Sequence, residues 1–417
     1  MNEEPAGELL LQCLGVGAGA VRSPLSNRDW DDVVRESVRQ GVTPLLYHRL
    51  QTLGSRAEVP ARITRWLREI AIGSAVTSLQ LHQELAEVLA GLGREGIDVI
   101  VLKGAYLAEG VYANKAMRPM KDLDLMVKRR DLSRAEAKLF EMGYVRRPEP
   151  YAEWDYSDSH HLHPLIKPGV ATVEIHWTIE APTTPFAIDV DGLWERARPA
   201  TIAGVGVMVL STEDLLLHLC LHTAFHHRFE LGLRGCWDLL EVIRQSGSRI
   251  DWEQVQDRAL EWGVKKYVYL TLQLARELLG ASVPDTVLAA LEPDDFESRL
   301  VALARAEILR RPVDSSISPR FAMIWGASRN REKAALVLKA LFPSRNAIGR
   351  MYPGCRDPRR LSVYYLVRWG DLVSKYGRAV WRMVRGDQAI SDLVRREHER
   401  AILVDWLDSA LLPDSRA

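Results

Sequence analysis

Several absences narrow the chain first. It has no net charge: 55 lysines and arginines stand against 55 aspartates and glutamates in 417 residues. No global field therefore marks it for nucleic acid or an anionic membrane. Cysteine is scarce, with Cys13, Cys220, Cys236 and Cys355 scattered and no C-x-x-C pair. That spacing suggests neither a zinc knuckle nor a disulfide framework. No run of about 18 uninterrupted apolar residues offers a membrane span. The first residues, M-N-E-E-P, are acidic, where a secretory leader would be basic and then apolar. A cytoplasmic protein is expected. Low-complexity linkers and internal repeats are also missing, so domain boundaries must be read from changes in periodicity.

What is there suffices for two or three domains: 47% of the residues are hydrophobic and 26% charged. Residues 1–95 read as a helical region. Asp29-Trp30-Asp31-Asp32 opens one helix with early acids, and Ile63 to Leu92 carries apolar residues at helical spacing. Residues 96–210 change texture. Ile97 to Leu102 reads as a buried strand, Ala105 to Tyr112 as a helix, and Asp122 to Val127 as a strand. Leu132 to Met142 reads as a helix ended by Gly143. His160 to Ile166 and Val170 to Ile179 read as strands around a Lys167-Pro168-Gly169 turn. From Ser211-Thr212-Glu213-Asp214, a helix-start signal, residues 211–417 are helical again. The fold class expected is α+β: a mixed-sheet core flanked by helical N- and C-terminal regions.

The most informative run joins Lys103-Gly104, Arg118 and Asp122-Leu123-Asp124. An apolar strand enters a glycine turn and a helix, and a second strand follows with two aspartates two residues apart. Alternate strand residues share a face, so Asp122 and Asp124 project together, about 6.5–7 Å apart at Cα. Paired carboxylates on one rigid face attract a hard divalent cation and suit magnesium. Phosphoryl or nucleotidyl transfer needs such carboxylates, a cradle for phosphates and cations for developing charge. Gly104 would let backbone N–H groups approach a triphosphate, and Lys103, Arg118 and Lys121 are the nearby cations. A third acid belongs on a neighbouring strand. In Thr172-Val173-Glu174-Ile175-His176-Trp177, Glu174 and His176 share the polar face, and a buried carboxylate there needs a partner or a metal. Plainer readings compete: a solvated strand edge for the aspartates, a structural ion pair for Glu174, and ion pairing for Lys103 and Arg118.

The strand–Lys-Gly–helix, R-x-x-x-D-x-D and E-I-H-W pattern resembles the DNA polymerase β nucleotidyltransferase superfamily. More closely it is similar to a bacterial group of uncharacterised nucleotidyltransferases. The resemblance is strong over residues 96–180 and weaker over 205–245, where L-H-L-C-L-H-T-A-F-H-H and Asp238 carry it. It implies a nucleotidyltransferase core, two magnesium ions and an NTP substrate. Asp122 and Asp124 would be metal ligands. Glu174 would be the third acid, binding metal and activating an acceptor hydroxyl, and Gly104 the phosphate-turn glycine. The acceptor implied is a small molecule or peptide, with a protein side chain or tRNA end as alternatives. One departure is clear: Lys103-Gly104 stands where such proteins carry Gly-Ser or Gly-Gly, so a point charge replaces a hydroxyl. A protein that binds nucleotide without catalysis is the alternative function, and a metal-dependent phosphohydrolase a more distant one.

His218, His222 and His226 recur at i, i+4 and i+8, one helix face. They read as a polar seam, as the lining of a nucleotide or acceptor pocket, or as a zinc site. His160, His161 and His163 are expected on the strand that pairs with the strand of Glu174. Residues 351–400 hold eleven Lys or Arg against six Asp or Glu, interleaved with Trp369, Tyr376, Trp381 and Val384. That pattern suits an amphipathic helix with solvated charges, or an anionic partner.

Overall fold

The apolar stripe of Ile63 to Leu92 belongs to one long helix of the computed structural model, α4 (Ala61–Arg94). The structure describes residues 6–16, 25–54, 58–148, 159–309, 364–365, 367–371 and 388–409. The chain forms two compact units: Met1–Arg310 with Leu407–Ala417, and Arg311–Trp406. The elements below belong to the first. The aromatic and basic interleave at Tyr376, Trp381 and Val384, like Cys355, falls outside the described residues.

Before α4 come α1 (Ala6–Leu14), α2 (Asn27–Arg39) and α3 (Thr43–Leu53). The early acids of α2 act as read: the Ser26 hydroxyl accepts from Asp29 N–H while the Asp29 carboxylate accepts from Ser26 N–H, a capping box. After α4 the chain builds a seven-stranded mixed sheet in the order β3-β4-β5-β2-β1-β7-β6. Its strands are β1 (Ile100–Val101), β2 (Leu123–Met126), β3 (Val145–Arg146), β4 (Leu165–Lys167), β5 (Ala171–His176), β6 (Arg198–Ile202) and β7 (Val205–Val209). Central β2 runs antiparallel to β1 and parallel to β5.

One face of this sheet carries Leu123, Leu125, Val173 and Ile175. It packs on Leu85, Val88, Leu89 and Leu92 of α4 and on Leu139 of α6 (Leu132–Glu141, after the short α5, Lys103–Tyr106). Burying these side chains on both layers is worth roughly 1.5–3 kcal/mol each, and it forces the alternate residues, Asp124, Glu174 and His176, onto the opposite face. After α7 (Val190–Glu195) and the β6–β7 hairpin, helices follow as expected: α8 (Thr212–Leu221), α9 (Leu233–Ser246), α10 (Trp252–Glu261), α11 (Lys265–Leu279), α12 (Asp285–Leu291) and α13 (Arg299–Ile308). The Ser211 start signal caps α8 through the amide of Asp214. No helix among the described residues is long and apolar enough to cross a membrane.

Three local expectations change. The strand expected from Asp122 begins at Leu123, and Asp122 lies in the bend before it. The helix expected from Ala105 starts at Lys103 and passes into a π-helix over Leu107–Val111. The strand expected from His160 to Ile166 shrinks to Leu165–Lys167, with His161 making an isolated bridge to His176. The β6–β7 hairpin, closed at Ala203-Gly204, is not foreseen from the sequence. Helix α4 ends at Arg94 and the sheet lies between Ile100 and Val209, and we propose residues 95 and 210 as the boundaries of the helical, α/β and helical regions.

Candidate active site

Asp124 and Glu174 are direct neighbours across the parallel β2–β5 pair, and His176 follows two residues on. Donor atoms of these three side chains lie within 4.8 Å of one another. His176 is fully buried, and its Nε2 lies 3.0 Å from Asp124 Oδ1 and 3.8 Å from Glu174 Oε2. A carboxylate only accepts, so the Nε2–H of a neutral imidazole donates to Asp124. The opposite nitrogen, Nδ1, is buried without a hydrogen-bond partner. Burial, with the ammonium of Lys103 opposing charge, holds the His176 imidazole down at about 4.

The same Asp124 oxygen also faces Lys103 Nζ at 3.4 Å. Burial alone would raise the Asp124 carboxyl. The Lys103 ammonium and the His176 hydrogen bond outweigh it and hold the acid well below its ordinary range. Two unit charges about 4 Å apart interact by about 4 kcal/mol at an effective dielectric near 20, so the sign of that balance is expected. Glu174 and Asp122 behave oppositely. Burial first, then repulsion from Asp124, pushes Glu174 up to about 7 and also raises Asp122. Asp124 and Glu174 thus share one face with Lys103 in contact with Asp124, and Asp122 acts electrostatically on Glu174 and feels Asp124 from the bend ahead of β2. Their hard oxygens and mutual repulsion fit a divalent cation, which reverses such shifts.

The phosphate turn differs from expectation in detail. The left-handed residue is Lys103, at φ 35°, a conformation uncommon for any residue with a side chain. Gly104 is needed for closeness instead, because a Cβ there would meet Met120 Cβ at 3.3 Å and Arg118 Nη1 at 3.6 Å. Arg118 is buried and spoken for. Its Nε and Nη2 donate to the two Asp238 oxygens at 2.7 and 2.8 Å, and Nη1 donates to the Pro119 carbonyl at 2.6 Å. Tyr112 Oη donates to the same Asp238 at 2.7 Å. Burial opposes the guanidinium charge, but Asp238 overcomes it and raises the Arg118 pKa. Lys121 is exposed, one residue ahead of Asp122.

Residues not singled out in the sequence join the site. Arg234, at the start of α9, acts electrostatically on Asp122, while burial and repulsion from Arg118 lower its own pKa. It has no carboxylate at ion-pair distance among the described residues. The three-histidine face persists although α8 ends at Leu221 and a π-helix covers His222–His226: the rings of His218 and His222 lie 6.4 Å apart, and those of His222 and His226 6.1 Å. Further imidazoles extend it into a continuous group. His160 packs on His161, His176 and His226 with ring centroids 4.7, 5.3 and 4.9 Å apart. His226 Nε2 in turn lies 3.0 Å from buried Glu180. Glu180 lines a cavity of about 390 Å³ with Trp177, Thr178, Phe186 and Trp194, where Lys128 stands over the Trp194 ring and Arg129 over that of Trp177.

Comparison with known proteins bears on this geometry. Residues 26–280 match the family model described as uncharacterised nucleotidyltransferase. No curated protein matches. The solution structure of the antibiotic-resistance factor ANT(2'')-Ia is similar at 15% identity, over 45% of this chain and 91% of that one, with a TM-score of 0.31, too slight a likeness to carry an argument.

Proposed function

This chain belongs to the uncharacterised nucleotidyltransferase family, and from that premise we propose that it transfers a nucleoside monophosphate from an NTP to an acceptor hydroxyl, releasing pyrophosphate. The observation that carries the reading is the register of Asp124 beside Glu174, with Asp122 one step ahead of the strand. Asp122, Asp124 and Glu174 would hold magnesium. A divalent cation there supplies charge neutralisation at the triphosphate and at the reacting phosphorus. Glu174, beside Asp124 on the parallel strand, would also accept the proton of the acceptor hydroxyl. Lys103 and Arg234 would meet the triphosphate, with exposed Lys121 at the rim and Arg118 fixed behind Gly104 as a buried charge. His176 would hold the Asp124 carboxylate in place.

The acceptor we favour is a small molecule or peptide. Supporting that choice is the cavity of about 390 Å³, within the usual size range of small-molecule pockets, whose lining residue Glu180 is separated from the carboxylates by the packed rings of His226, His160 and His176. The test is transfer of α-labelled nucleotide in magnesium, offered pooled small hydroxyl acceptors and peptides. Asp122→Ala and Asp124→Ala should each lose a hundred- to a thousand-fold of the wild-type signal. Equal incorporation by all three proteins would sink the mechanism.

One observation favours a second reading, nucleotide binding without transfer: Lys103 and His176 together occupy Asp124 Oδ1. Magnesium-dependent NTP binding with no labelled product across the acceptor pools would select that reading.

A further inference from the structure

We propose that Lys103 is a resident counter-cation of the carboxylate cluster, drawn off by a triphosphate, so that a divalent cation enters well only together with nucleotide. The inference rests on reading the cluster as a nucleotidyl-transfer site. It begins with chain geometry. The Leu102 amide donates to the Asp124 carbonyl at 3.0 Å, which delivers the next residue to the Asp124 side chain. Lys103 reaches it through a left-handed backbone that only glycine adopts freely. Its stem is buried, and its ammonium lies 3.4 Å from the oxygen that also accepts from His176. The same charge acts on Asp122 and Glu174.

Among the cations here, the number of hydrogen bonds separates two roles. Arg118 is fixed by three hydrogen bonds to Asp238 and Pro119. Lys103 has one ammonium on a flexible four-carbon stem and one long contact. A divalent ion arriving alone meets an ammonium already on its ligand oxygen and is repelled. A triphosphate offers that ammonium several anionic oxygens, which frees Asp124 for the metal. A lysine in place of the usual small turn residue thereby couples the two ligands.

The experiment is a titration of the full chain with Mn²⁺, read by loss of the free-ion electron paramagnetic resonance signal, in mildly alkaline buffer where Glu174 is ionised. It is run with and without adenosine α,β-methylene triphosphate, on wild type, Lys103→Met and Lys103→Gln. Two variants are used because one may misfold, and thermal unfolding identifies it. The expected result is nucleotide-free Mn²⁺ binding about ten-fold or more tighter in both variants, with analogue binding about ten-fold or more weaker. Nucleotide-free Mn²⁺ affinity that is unchanged or weaker in a folded variant overturns the proposal. A purely structural lysine would weaken both ligands together. If wild type takes no Mn²⁺ even with the analogue, the nucleotidyl-transfer reading falls as well, a result distinct from failure of the coupling alone.

Discussion

Two buried charge clusters lie within a few residues of each other, and they are built on opposite plans. Around Asp238 every strong group is answered: Arg118 grips both carboxylate oxygens and Tyr112 adds a third donor. Around Asp124 the balance is left open. Asp122 and Glu174 are raised by burial and by their neighbours' charge, and among the described residues one lysine and one neutral imidazole, Lys103 and His176, touch the group. A closed cluster fixes structure, and an open one keeps a free-energy gradient toward a cation. The comparison teaches which charges to read as fold and which as site, although both were candidates of one kind in the sequence.

The sharpest way to break this contrast is Asp238→Ala. It leaves a buried guanidinium unpaired, and chemical denaturation should show a loss of about 3–5 kcal/mol. A loss under about 1 kcal/mol, the scale of an exposed ion pair, would mean the pair is not structural.

Glu174→Gln should act in the other direction on the unliganded protein. Its folded pKa is raised from 4.5 to about 7, so the folded state binds this proton more tightly than the unfolded state. The cost of ionising it is absent below pH 4.5, grows as pH rises, and is complete above about 7. Glutamine removes that cost, on the order of 3 kcal/mol above neutrality and nothing in acid. Denaturation curves at acidic and mildly alkaline pH check this, and equal stability of the two proteins throughout would contradict an open cluster.

Smallest is Arg234→Ala. Without an ion-pair partner among the described residues, this guanidinium should matter to ligand more than to fold, raising KM for NTP about ten-fold with little change in unfolding free energy. A large stability loss with unchanged KM would move Arg234 into the closed class.

Legibility from the sequence followed the same division. Strand alternation placed Glu174 and His176 on one face and Leu123 and Leu125 on the other, because a period of two survives in any strand with a buried side. The helix over Ile63 to Leu92 was legible from its periodicity. Arg118–Asp238 was not, since its partners are 120 residues apart and no local pattern encodes their meeting. The left-handed turn at Lys103 was hidden because glycine next to it was the natural candidate for unusual backbone. The histidine face was legible from its spacing, since successive rings of His218, His222 and His226 lie 6.4 and 6.1 Å apart, while the π-helix over His222–His226 was not.

The most direct measurement of the central claim is calorimetric titration of adenosine α,β-methylene triphosphate into wild type and Asp122→Asn/Asp124→Asn, with magnesium present and removed. The account predicts binding to wild type that depends on magnesium and weakens at least about ten-fold in the double variant. Equal affinity in the two proteins, or affinity indifferent to magnesium, would contradict it.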